Sequence, residues 1–305
     1  MQTNRRPATS AARRRRGWLI PAAGLAAILT VLALTFTNQQ ANPSRAAPIS
    51  SLNTRDFHAL LFSPIDPNVV YFGHHDGLLM SNDQGVTWQP TSLQGVDAMS
   101  LATSGSQSQR IYAAGHGVLY RSEDAGATWA PISGAFEGAD IHAFAVSPDD
   151  RDRVYAFVAG QGFFTSEDGG ATWQSLPSPP SNETRALEAG PGGKLFTADA
   201  AGNVYLSDDG GGLWRSNNIG GGMQVRGLAF EPRSGALYAT AAMPGMNMGM
   251  VHRLNAAATS WENSSYPGSG TPSAIAVSPH DGQTLLVVNE RGQVYRSRDG
   301  GVSWR

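Results

Sequence analysis

One octapeptide, Ser-x-Asp-x-Gly-x-Thr-Trp, constrains this chain more than any other feature. Close copies are SNDQGVTW at 81–88, SEDAGATW at 122–129, SEDGGATW at 166–173, SDDGGGLW at 207–214 and SRDGGVSW at 297–304. A decayed copy, LNAAATSW, covers 254–261. The six Trp residues are spaced by 41, 44, 41, 47 and 43 residues. A fixed period in this range means one supersecondary unit repeated and stacked on itself. The third unit shows its content: the strand-like runs IHAFAV (141–146), RVYAFVA (153–159) and GFFTS (162–166), then the octapeptide, then a further strand. The octapeptide reads as a tight turn. Its Asp accepts backbone N–H groups, its Gly supplies a positive φ, and its Trp buries a large ring between neighbouring sheets. Asp83, Asp124, Asp168, Asp209 and Asp299, with Trp88, Trp129, Trp173, Trp214 and Trp304, are therefore read as scaffold. An active site is not expected in five copies around a ring. Six units imply an all-β, six-bladed propeller of four-stranded blades around a channel.

The octapeptide resembles the Asp-box, or BNR, repeat of sialidases, sortilin-type receptor ectodomains, xyloglucan hydrolases and photosystem assembly factors. The resemblance covers residues 53–305. It implies that the Asp-box turns lie on the face opposite the binding face. The patches DFHALLFSP, HHDGLL, AAGHG and ADIHAFAVSP are most similar to membrane-anchored bacterial Asp-box proteins labelled glycosyl-hydrolase-like. The last octapeptide ends at Trp304, so the sixth blade lacks an outer strand of its own. Residues 46–55 are expected to supply it; otherwise that blade has three strands, or the sequence is truncated.

The N-terminal part is about location. Residues 1–16 form a basic tail ending in Arg13–Arg16, and an uncharged run follows from Gly17 to Thr37. Twenty-one helical residues span about 31 Å, the thickness of a hydrocarbon core. The Arg cluster places the tail in the cytoplasm and the propeller outside it. A single-pass anchor is expected, with a cleaved signal sequence as the alternative. Residues 38–52 read as a polar linker. Residues 1–52 hold seven Arg and no acid, which leaves 15 basic against 24 acidic residues in the rest. That balance argues against nucleic acid as a partner. The absence of Cys excludes disulfides, thiolate metal sites and cysteine nucleophiles. A monomer is expected.

Aligning the inner strands on the Pro that ends most of them (Pro64, Pro148, Pro191, Pro232, Pro279) brings candidate residues to one rim. The first position carries Asp56, Asp97, Asp140, Glu183, Gln224 and Thr271. Two residues on stand His58, Met99, His142, Arg185, Arg226 and Ser273. The following loops add His74, His75, Asp76 and His116 to the same side. The first three units are acidic and His-bearing, while the fourth and fifth carry Arg. Such a rim is suited to a polar ligand, or to zinc or copper. A separate loop, MPGMNMGMVH, groups Met243, Met246, Met248 and Met250 with His252. Soft thioethers select Cu(I); the alternative is an apolar cap over the channel.

Two functional readings stand. The first is a binding or assembly module that holds a protein, glycan or metal ion on its channel face. The second is glycoside hydrolysis through two of Asp56, Asp97, Asp140 and Glu183, one protonated and one ionised. Sialidase activity is not expected: the inner rim offers only Arg185 and Arg226, and the Phe/Tyr-Arg-Ile-Pro motif is absent.

Overall fold

The computed structural model describes residues 46–304, except 106–107, 135, 137, 182, 247–248, 265, 267 and 269. The basic tail, the expected span at 17–37 and most of the linker lie outside the described residues. Among those described, no helix is long and apolar enough to cross a membrane.

Six four-stranded antiparallel sheets follow one another along the chain. Their inner strands are Ala59–Phe62, Ser100–Thr103, Ile141–Val146, Thr184–Ala189, Gln224–Glu231 and Pro272–Val277. In blades 1 to 5 the next three strands pair outward in sequence order. Blade 6 differs. Its inner three strands come from the C-terminal part, and Ser50–Ser51 supplies the fourth by pairing with Gln293–Ser297. Ile49 and Leu52 extend that pairing with N–H···O bonds of 2.8 Å to Val294 and Gly292. The last residues of the expected linker therefore belong to the propeller, and the ring is closed by an N-terminal strand.

The core is divided among the blade interfaces. Each adjacent pair of blades buries its own apolar cluster, including the pair formed by blades 6 and 1. Each cluster receives one octapeptide Trp from its later blade: Trp88 between blades 6 and 1, Trp129, Trp173, Trp214 and Trp261 in succession, and Trp304 between blades 5 and 6. A large ring per seam is why the Trp recurs at the blade period.

The turns are built as their composition demands. In all five close copies the Ser hydroxyl donates to the Asp Oδ1 at 2.7–2.8 Å. The backbone N–H four residues after each Asp donates to the same oxygen at 2.8–2.9 Å. Hydrogen bonds led by the Thr128 and Thr172 hydroxyls pull Asp124 and Asp168 down to about 2. Gly85, Gly126, Gly170, Gly211 and Gly301 take φ between 84° and 98°. In the decayed copy Asn255 substitutes from one position earlier, accepting the Thr259 N–H at 3.1 Å. Each of the five close copies also leans on the first connection of its own blade, as in Gly169 N–H to Asp152 O at 2.7 Å. Inner strands thus start on one face of the disc, and the Asp-box turns lie on the other.

Candidate functional site

The face where the inner strands start gathers most of the candidate residues. Asp56 and His58 precede the inner strand of blade 1, Asp97 that of blade 2 and Asp140 that of blade 3, while His142 lies within the last. His75 and His116 sit in the tight turns that leave the second strands of blades 1 and 2. Two close approaches set these segments. The Ala98 N–H donates to the His74 carbonyl at 3.1 Å, joining blades 1 and 2. At Gly115 a Cβ would stand 1.9 Å from the Asp97 carbonyl, so only glycine admits that segment.

The side chains form one continuous arc over three blades. His58 Nε2 lies 3.2 Å from His75 Nδ1, which is 2.7 Å from Asp97 Oδ1. Asp97 Oδ2 pairs closely with His116 Nδ1. His116 Nε2 is 3.1 Å from Asp140 Oδ1, and Asp140 Oδ2 is 2.8 Å from His142 Nε2. Asp56 closes the blade 1 end, with Oδ1 3.3 Å from His58 Nε2 and Oδ2 3.5 Å from His75 Nε2. Burial lowers the His58 pKa, while the hydrogen bond to Asp97 raises that of His75. Burial works to raise Asp97, but hydrogen bonds from His75 and His116 outweigh it and hold the carboxyl below its ordinary range. Two three-residue groups, Asp56–His58–His75 and His116–Asp140–His142, each present ligand atoms within 4.8 Å of one another.

Across the channel mouth the charge reverses. Arg185 and Arg226 are exposed, and both line the upper channel with His58 and Met99. No ion pair engages either guanidinium among the described residues. Glu183 is exposed on the same rim, outside the arc, and Asp76 is exposed on its turn.

One expectation is corrected. His74 does not face the rim. It is 7% exposed and stacks on Phe72 at 6.0 Å, because adjacent strand residues point to opposite sides. Four histidines converge there, not five. In the Met loop, His252 is buried in blade 5 opposite Ala239 and Asn263, and Met246 is exposed. Met243 and Met250 are half-buried, and Met248 lies outside the described residues.

Sequence reasoning missed Glu188. The channel consists of an upper cavity of about 60 Å³ and a lower one of about 120 Å³, and Glu188 lines both. At its level the other five blades present Leu61, Ala102, Ala145, Ala229 and Ala276. Burial pushes the Glu188 carboxyl up to about 8, against an opposing backbone hydrogen bond from Phe230. The signal was available: among residues three before the aligned Pro, this is the one carboxylate.

Six blades, an Asp-box turn at nearly every seam, a channel and a charged mouth define an Asp-box propeller. Within that class, the chain belongs to the family described as photosynthesis system II assembly factor YCF48, whose model matches residues 54–305. No curated protein matches the sequence. Among solved structures the chain is similar to the GH74 enzyme of Niastella koreensis, at 16% identity and a TM-score of 0.61 over 85% of this chain. It is similar to the GH74 xyloglucanase from Xanthomonas campestris at 20% identity and a TM-score of 0.57, again over 85% of this chain. It spans about half the length of these GH74 chains, 46% in each case. YCF48 bound to D1 peptide is similar at 17% identity and a TM-score of 0.55, over 84% of this chain and 83% of that one. At these identities the likeness carries the fold.

Proposed function

We propose that this propeller is a binding module that holds a polypeptide partner across its channel mouth, anchored through residues 17–37 outside the cytoplasm. The carrying observation is the divided charge of the mouth. Imidazoles and carboxylates line blades 1 to 3, and two guanidiniums without ion-pair partners among the described residues, Arg185 and Arg226, line blades 4 and 5. Such a surface selects the orientation of a segment carrying both signs of charge. Exposed Arg is also the side chain best suited to grip carboxylates. The reading is supported by family membership and by the solved complex of YCF48 with a D1 peptide.

The test is a peptide-array screen of the full chain in detergent, with the D1 peptide included as one probe. Peptides selected by the wild type are expected to bind at least about tenfold more weakly to the Arg185→Ala/Arg226→Ala variant. Glu167→Ala, on the Asp-box face, is expected to leave binding unchanged. Selected peptides indifferent to the Arg pair and sensitive to Glu167 would overturn the proposal.

A hydrolase reading keeps one specific observation in its favour: Glu188 is the carboxyl that lines both channel cavities, and burial pushes it up to about 8, the direction a general acid needs. The mouth carboxylates Asp56, Asp97 and Asp140 are instead engaged by imidazoles. Reducing-end release from xyloglucan, lost in Glu188→Gln, would put this reading first.

A further inference from the structure

At the blade 1 end of the arc each imidazole has its own carboxylate: His75 Nδ1 lies 2.7 Å from Asp97 Oδ1 and His58 Nε2 lies 3.3 Å from Asp56 Oδ1. A ring nitrogen carries either one proton or one lone pair. With a proton on Nδ1 for Asp97, His75 turns Nε2 toward Asp56 Oδ2 at 3.5 Å. That gap is one that a second proton or a cation can bridge.

A cation takes a lone pair from every such group at once. Asp56, His58 and His75 offer ligand atoms within 4.8 Å of one another. His58 Nε2 is 3.3 Å from Asp56 Oδ1, and His75 Nε2 is 3.5 Å from Asp56 Oδ2. Tetrahedral donors at bond lengths of about 2.0–2.1 Å stand roughly 3.3 Å apart, close to both separations. The surroundings also fit. Asp97 Oδ1 lies 2.7 Å from His75 Nδ1, the kind of outer contact that orients a metal-binding imidazole, and His116 holds the second oxygen of Asp97. Ligands and support come from blades 1 and 2, whose segments are already fixed by the Ala98–His74 backbone bond and the Gly115 approach.

We propose that Asp56, His58 and His75 form a binding site for one divalent cation of the zinc class at the channel mouth, with Asp97 of blade 2 orienting His75. Two imidazoles with a carboxylate suit such a borderline cation better than Mg²⁺ or Ca²⁺, which prefer all-oxygen shells. The Met loop takes no part. The site does not rest on the polypeptide reading, and Arg185 and Arg226 lie outside it.

The test is equilibrium dialysis of the full chain, purified in detergent without chelator or histidine tag, against Zn²⁺ alone. One saturable equivalent is expected. His58→Ala and His75→Ala are each expected to weaken uptake at least about tenfold, while His142→Ala and Met246→Leu leave it unchanged. X-ray absorption on the zinc-loaded wild type, which needs no variant to fold, is expected to show two imidazoles and oxygen donors. No saturable uptake, uptake indifferent to both His58 and His75, uptake lost with His142 instead, or a zinc shell with fewer than two imidazoles would each overturn the site.

Discussion

Single residues carry strain and charge that can be tested one at a time. Ala125 stands at φ 53° in the slot where three other Asp-box turns place Gly169, Gly210 and Gly300. A Cβ there is disfavoured, so Ala125→Gly is expected to stabilise the protein by about 1 kcal/mol in denaturant unfolding; a loss of stability would show that the turn is not held left-handed. Glu188 makes a pH prediction. Its folded pKa is raised to about 8, so the folded chain keeps a proton that the unfolded chain releases near the ordinary glutamate value. The stability this contributes is full below that value, declines as the pH rises and is gone above the raised pKa. Glu188→Gln keeps the shape without the proton. Relative to wild type it should gain stability between about pH 5 and 8, by roughly 1–3 kcal/mol once discounted for channel water. Parallel pH–stability curves for the two proteins would contradict the assigned environment.

Elements decide where those residues go, and this is where sequence reading was strongest and weakest. The turns were legible because Ser, Asp, Gly and Trp each have a separate mechanical task and recur together. An accounting of edges made residues 46–55 one of three ways to complete the sixth blade, because an unpaired edge needs a partner; the pairing of Ser50–Ser51 with Gln293–Ser297 is the one the structure shows. Alignment of the inner strands also brought His58, His75, His116 and His142 to one rim. It did not separate His74 from His75, whose side chains differ by half a pleat. Nor did it single out Glu188 within TRALEA, since the channel exists only once six such strands converge. Close backbone approach was likewise invisible. Gly115 is an ordinary strand glycine by sequence, yet any Cβ there meets the Asp97 carbonyl. Gly115→Ala is therefore expected to leave the blades assembled, as read by the far-UV spectrum, while displacing Asp97 and weakening Zn²⁺ uptake at least about tenfold. Wild-type uptake in that variant would show that the segment tolerates displacement.

At the scale of the whole molecule, stability comes from a closed ring of interfaces. Blades 6 and 1 meet through Leu52, Phe62, Phe72 and Leu286 among others, and Leu52 is only 6% exposed although it lies just beyond a two-residue strand. Leu52→Ala should cost about 2–4 kcal/mol in denaturant unfolding; a loss below about 0.5 kcal/mol would mean that the closing strand is peripheral. His280 helps to seal the same seam, with Nε2 2.9 Å from the Ser63 carbonyl. A ring closed in this way keeps the mouth rigid and leaves its two charged halves fixed against each other. A fixed surface with opposed charges is what an oriented partner needs. The most direct measurement is hydrogen exchange of the full chain with and without a peptide selected on the array. Protection is predicted in the mouth segments around Asp56, His75, Asp97, Asp140, Arg185 and Arg226; protection confined to the Asp-box turns, with the mouth unchanged, would contradict the account.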